Sequence, residues 1–159
     1  MTKENIFTMD TSGIKFGNGC TEEVGYEAKR FGIRKALVIT DKKIEKLGLF
    51  QTVKESLGRY GVDFSVYNDV VTEPTDTSFK NASSFASDGD YDGFIAVGGG
   101  SVMDTTKAAN LYSTYPADFL DYVNAPIGKG IPIPGPLKPL ICVPTTAGTG
   151  SETTGGAIF

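Results

Sequence analysis

Apolar residues along this chain fall into two alternating patterns. Short unbroken or alternating runs of strand length occur at 35–41 (Lys-Ala-Leu-Val-Ile-Thr-Asp), 62–67 (Val-Asp-Phe-Ser-Val-Tyr), 93–97 (Gly-Phe-Ile-Ala-Val) and 140–143 (Leu-Ile-Cys-Val). The intervals between them predict helices over 42–57, 77–87 and 101–113, the second capped by Asp76. An earlier helix is expected from Thr21, as its cap, to Phe31, with Gly32 as its stop. Strands separated by helices predict an α/β fold, a Rossmann-like parallel sheet with helices on both faces. Loose alternation over 5–16, around Thr11-Ser12-Gly13, adds a short N-terminal β-hairpin, and Gly17-Asn18-Gly19 reads as a turn. Six prolines between 116 and 139 mark an ordered surface excursion with polyproline character and one helical turn at Asp118–Val123. Gly156–Phe159 reads as the opening of a further strand.

The stretch that organises the rest is Phe94-Ile-Ala-Val-Gly-Gly-Gly-Ser-Val-Met-Asp-Thr-Thr-Lys107. A buried strand ends in Gly98, Gly99 and Gly100, and Ser101 with Asp104 then suggests a capping box at a helix start. Residues without side chains let a ligand approach the main chain, and unpaired N–H groups at a helix start favour an anion such as a phosphate. The run is neither G-x-G-x-x-G nor a Walker A motif, and Lys107 lies too far into the helix to complete a P-loop. A tight turn with an ordinary cap is the plain alternative, and the two roles do not exclude each other.

In a parallel sheet, ligands bind beyond the carboxyl ends of the strands. Those ends are Thr40-Asp41, Asn68-Asp69, Gly98–Ser101 and Thr145-Thr146, which together suggest a mononucleotide- or dinucleotide-binding rim. Asp41 can accept hydrogen bonds from the hydroxyls of a ribose, and its charge would repel a 2′-phosphate, favouring NAD over NADP. Capping of the next helix is its other reading. Asp104 and Lys107 are spaced to form a surface ion pair worth about 0.3 kcal/mol, which is the alternative to a cofactor role. Thr145, Thr146 and Thr149 place hydroxyls beside a second glycine-punctuated loop, and Cys142 reads as inert core.

Composition narrows the class. With 159 residues, 40% hydrophobic, 21% charged and 11% aromatic, the chain suits one soluble domain over 1–159. A net charge of −4 argues against nucleic acid or an anionic membrane as the partner. No apolar run approaches the roughly 18 residues that span a bilayer. Two cysteines give no disulfide framework, and Met1–Ile6 has no signal-peptide core, so a cytoplasmic location is expected. The absence of histidine removes the commonest general base and transition-metal ligand.

The two motifs Gly98-Gly-Gly-Ser-Val-Met-Asp-Thr-Thr-Lys107 and Pro144-Thr-Thr-Ala-Gly-Thr-Gly-Ser-Glu152, in that order, resemble the iron-containing (group III) alcohol dehydrogenases across almost the whole chain. Asp121–Gly130 and Pro136–Leu140 look most like the hydroxyacid-oxoacid transhydrogenase branch, which exchanges hydride between 4-hydroxybutyrate and 2-oxoglutarate-type acids. The resemblance implies that Gly98, Gly99, Gly100 and Ser101 cradle a cofactor diphosphate with Asp104 nearby. It further implies that Asp41 holds the adenosine ribose with Glu73 in the same region, and that Thr145, Thr146 and Thr149 line the groove toward the nicotinamide. The family's divalent metal, iron in many members, is held by an aspartate and three histidines of a helical C-terminal domain. This chain has neither that aspartate nor any histidine. It therefore resembles the NAD-binding half of a metal-dependent alcohol dehydrogenase, with no catalytic or metal residue of its own and inactive alone. A small alcohol or hydroxyacid substrate and a homo-oligomer are expected of the full-length enzyme. The alternatives are a non-catalytic nucleotide- or partner-binding remnant, or a relative such as a glycerol dehydrogenase or dehydroquinate synthase.

Overall fold

The computed structural model describes residues 12–159. Four strands, β1 (Lys35–Ile39), β2 (Asp63–Tyr67), β3 (Gly93–Gly98) and β4 (Leu140–Pro144), form one parallel sheet in the order β2-β1-β3-β4. Among the described residues α1 (Val24–Arg30) precedes the sheet, and α2 (Gly48–Arg59), α3 (Asp76–Ser87), α4 (Gly100–Thr114) and the single turn α5 (Phe119–Tyr122) lie between the strands.

The period-two alternation of the strands divides the core into two layers. Ala36, Val38, Ile95 and Val97 face α1 and α2, packing on Val24, Ala28, Phe50, Val53 and Leu57. Leu37, Ile39, Phe94 and Ala96 face α3 and α4, packing on Ala82, Ala86, Val102, Met103 and Ala109. Both faces of β1 and β3 are covered, which is why these runs are apolar throughout rather than alternating. Each large side chain buried here contributes about 1.5–3 kcal/mol.

Chain direction fixes where the sheet opens. From β1 the chain passes through α2 on one face to β2, then through α3 on the opposite face to β3, on the far side of β1. The connections leaving β1 and β3 thus diverge to opposite faces and open a crevice at their carboxyl ends, the switch point where such sheets bind ligands. Thr40, fully buried, ties the two ends together by donating its hydroxyl to the Val97 carbonyl at 2.8 Å.

Several local expectations are corrected. The proposed N-terminal hairpin lies largely in residues 1–11, outside the described residues, and 12–16 form no strand. The helix expected from Thr21 begins as a 3₁₀ turn, Cys20–Glu23, behind a left-handed Gly19, so Thr21 is inside the turn rather than its cap. The helix expected over 42–57 is two pieces. A 3₁₀ turn at Ile44–Lys46 ends where Leu47 goes extended, and α2 starts at Gly48. Helix α3 is capped by Thr75, not Asp76, through a reciprocal box with Ser78. Gly156–Phe159 is irregular rather than a strand. Phe159 instead packs its ring on Phe79 and Phe119 at 5.6 and 5.1 Å.

Helices α1 and α2 meet at Gly25. A Cβ there would lie 2.3 Å from the Ser56 carbonyl oxygen, and the Gly25 N–H donates to Ser56 Oγ, which in turn donates to the Glu22 carbonyl. Gly25→Ala must push the two backbones apart and is expected to cost about 1–3 kcal/mol, seen as an earlier thermal unfolding transition. An unchanged transition would refute this packing.

Candidate functional site

The carboxyl ends of β1, β3 and β4 bring the two glycine-containing motifs together. Strand β3 runs into α4 through Gly98 and Gly99, with Gly99 as the N-cap and Gly100 and Ser101 in the first turn. Val102 and Met103 donate their N–H groups back to the Gly99 carbonyl, which leaves the N–H groups of Gly99, Gly100 and Ser101 without an intrahelical acceptor. Ser101 and Asp104 form no capping box, because the helix begins one residue earlier and has no side-chain cap. The main chain at this end is bare.

Glycine is required by space. A Cβ on Gly98 would lie 2.4 Å from Val102 Cγ2, one on Gly99 2.9 Å from Thr146 Oγ1, and one on Gly100 3.1 Å from Thr149 Cγ2 and 3.3 Å from Ser151 Oγ. The second loop is registered against the first by the Thr145 N–H, which donates to the Gly98 carbonyl at 3.0 Å. Gly98 to Ser101 and Thr145, Thr146 and Thr149 are thus one constellation. Ser151, not singled out from sequence, belongs to it: it is buried at 8% exposure and faces Gly100. Nothing in its local sequence separates it from the hydroxyls around it; the contact appears only when the two loops meet.

Asp41 stands at the end of β1. Its Oδ1 accepts the N–H groups of Lys43 (2.7 Å) and Ile44 (2.9 Å), so the capping role is real, and Oδ2 accepts no hydrogen bond among the described residues. A β-bridge pairs Asp41 with Asp69 at the end of β2. Glu73, exposed on the connector from β2 to α3, is the one non-glycine among the described residues with left-handed backbone, φ 56°.

Asp104 does not face the bare helix start. One turn in and 7% exposed, its carboxylate accepts from Lys107 Nζ (3.2 Å) and from the Ile158 N–H (3.2 Å). Lys107 also donates to the Gly156 carbonyl and to Thr154. Asp104 and Lys107, expected near the cofactor or else as a surface ion pair, instead form a largely buried clamp on residues 154–158. Cys142 is half-buried, not fully core, and burial pushes its thiol up to about 11, leaving it unreactive at neutral pH.

A cavity of about 1640 Å³ lies elsewhere. It runs along the free edge of β4, lined by residues such as Ile131, Leu140, Cys142 and Phe159, and includes no residue of the glycine loop. Uncovered apolar side chains make that space, whereas the rim presents converging main-chain donors.

The sequence pattern of iron-containing alcohol dehydrogenases matches residues 11–159. The chain belongs to the iron-containing alcohol dehydrogenase family. Among curated proteins, 99% of it aligns with the mitochondrial hydroxyacid-oxoacid transhydrogenases of Bos taurus (57% identical) and Homo sapiens (54%). It spans 34% of the length of those relatives. Among solved structures, it superposes over 97% of its length on an NADH-dependent butanol dehydrogenase from Thermotoga maritima, with TM-score 0.86 and 30% identity, covering 38% of that chain. A sulfoacetaldehyde reductase from Bifidobacterium kashiwanohense, solved with NAD+, matches over 95% with TM-score 0.80 and 27% identity, and 39% of that chain is covered. The transhydrogenase resemblance read from 121–140 agrees with these relatives. The cytoplasmic expectation does not, since the relatives are named as mitochondrial enzymes.

A left-handed residue with a side chain costs about 1 kcal/mol or more. Glu73→Gly is expected to raise the melting temperature by about 2–4 °C in calorimetry, and a lowered value would contradict strain at this position.

Proposed function

We propose that residues 1–159 act as the dinucleotide-binding domain of a family enzyme that moves hydride between an alcohol or hydroxyacid and nicotinamide. The observation that carries this is the meeting of the bare α4 start with the Thr145–Ser151 loop at the β1/β3 switch point. In this reading the N–H groups of Gly99, Gly100 and Ser101 bind the diphosphate of NAD, with Gly98 keeping the approach clear. Asp41 Oδ2 accepts from the adenosine ribose while Oδ1 stays on the backbone, and Glu73 borders the same end. Thr145, Thr146 and Thr149 line the path toward the nicotinamide. Asp104 supports α4 from behind through Lys107 rather than touching the diphosphate.

A metal does not fit these residues. The chain has no histidine, and its described residues contain no group of three or more metal-ligating side chains. Asp104 and Asp121 are each committed to a lysine, Lys107 and Lys129. The chain alone is therefore proposed to bind nucleotide without oxidising alcohols. The name of the transhydrogenases supports a hydroxyacid and an oxoacid as the substrates of the whole enzyme, and a mitochondrial rather than cytoplasmic setting.

Calorimetric titration with NAD tests the reading. Saturable binding is expected for the native chain. Gly99→Val should weaken it at least about tenfold while keeping cooperative melting, since its side chain would fill the space before Thr146. Equal affinity in the two proteins would overturn the assignment.

A further inference from the structure

We infer that Asp69 is a second determinant of nucleotide choice, acting by holding the Lys42 ammonium so that it cannot serve a 2′-phosphate. The inference rests on the rim reading above and concerns its adenosine end. Bridge pairing places Asp41 and Asp69 side by side where β1 and β2 finish. Lys42, the neighbour of Asp41, reaches across to Asp69, with Nζ 2.5 Å from Oδ1. Both side chains are about two-thirds exposed (69% and 66%), so mutual attraction rather than burial holds them together. The Asp69 carboxylate also raises the Lys42 pKa, through its hydrogen bond first and its charge second.

Charge at the tip shows why this matters. Asp41 alone would disfavour a 2′-phosphate, but Lys42 is attached to the next residue and carries a long flexible stem. Unrestrained, its ammonium would partly neutralise Asp41 or pair with the phosphate directly, and the discrimination would narrow. Asp69 disfavours both, and these two carboxylates and one ammonium sum to about −1. Glu45 accepts from Asn68, the neighbour of Asp69, at 2.7 Å. Selectivity is thus exerted by a residue that touches neither ribose nor phosphate.

The test is calorimetric titration of the native chain, Asp69→Asn and Asp69→Asn/Lys42→Met with NAD and NADP, at low ionic strength because exposed charges are screened beyond about 10 Å at 0.1 M salt. Removing one charge about 6 Å away in water changes affinity about threefold. Asp69→Asn should therefore narrow the NAD-over-NADP ratio about threefold or more, with NAD affinity nearly unchanged. Adding Lys42→Met should restore the native ratio. If NAD binds but Asp69→Asn leaves the ratio unaltered, or if the double variant stays narrowed, the inference is wrong and the rim reading stands. If the native chain binds no NAD, the rim reading fails and takes the inference with it.

Discussion

At the end of this sheet the turn between β3 and α4 is packed so closely by neighbouring side chains that it has no room for side chains of its own. Gly98, Gly99 and Gly100 each sit where a Cβ would press on Val102, Thr146, Thr149 or Ser151. That packing keeps the main chain at the start of α4 bare, and much of the remaining structure serves to maintain it. Pairing of β3 between β1 and β4 sets the height of the glycine turn. The buried Thr40 hydroxyl fixes the neighbouring strand end, and the Thr145 N–H fixes the second loop. The two apolar layers beneath supply the rigidity on which an open rim depends.

Strand positions and the alternation of strands with helices were legible in the sequence because burial on both faces leaves an apolar run that solvent-exposed segments do not produce. The glycine turn was legible for the same reason, since a strand that stops at three residues without side chains has few uses. Helix starts were read less well. Thr75 and Asp76 are both good caps, and only the geometry of Ser78 selects Thr75. Ser101 and Asp104 have the spacing of a capping box, but the helix claims Gly100, so the box has no place to form. Leu47 breaks an otherwise continuous apolar periodicity by turning extended, which no residue type announces.

The site was legible as two motifs and not as contacts. Ser151 and the Asp69–Lys42 pair depend on residues distant in sequence meeting at strand ends. Asp104 is instructive in the opposite direction. Its place in the motif suggests a ligand, yet it and Lys107 grip residues 154–158 and thereby attach the segment beyond the second loop to α4. The likeness to the solved NADH-dependent butanol dehydrogenase covers 97% of this chain and 38% of that one.

The central claim is that a nucleotide rests on the bare turn between β3 and α4. The most direct measurement is an amide NMR titration of the chain with NAD. Shifts are predicted to centre on Gly99, Gly100 and Ser101, with smaller ones at Asp41 and Thr145–Ser151. Shifts that instead gather along the free edge of β4, at Leu140–Val143 and Phe159, with the glycine turn unmoved, would contradict the account.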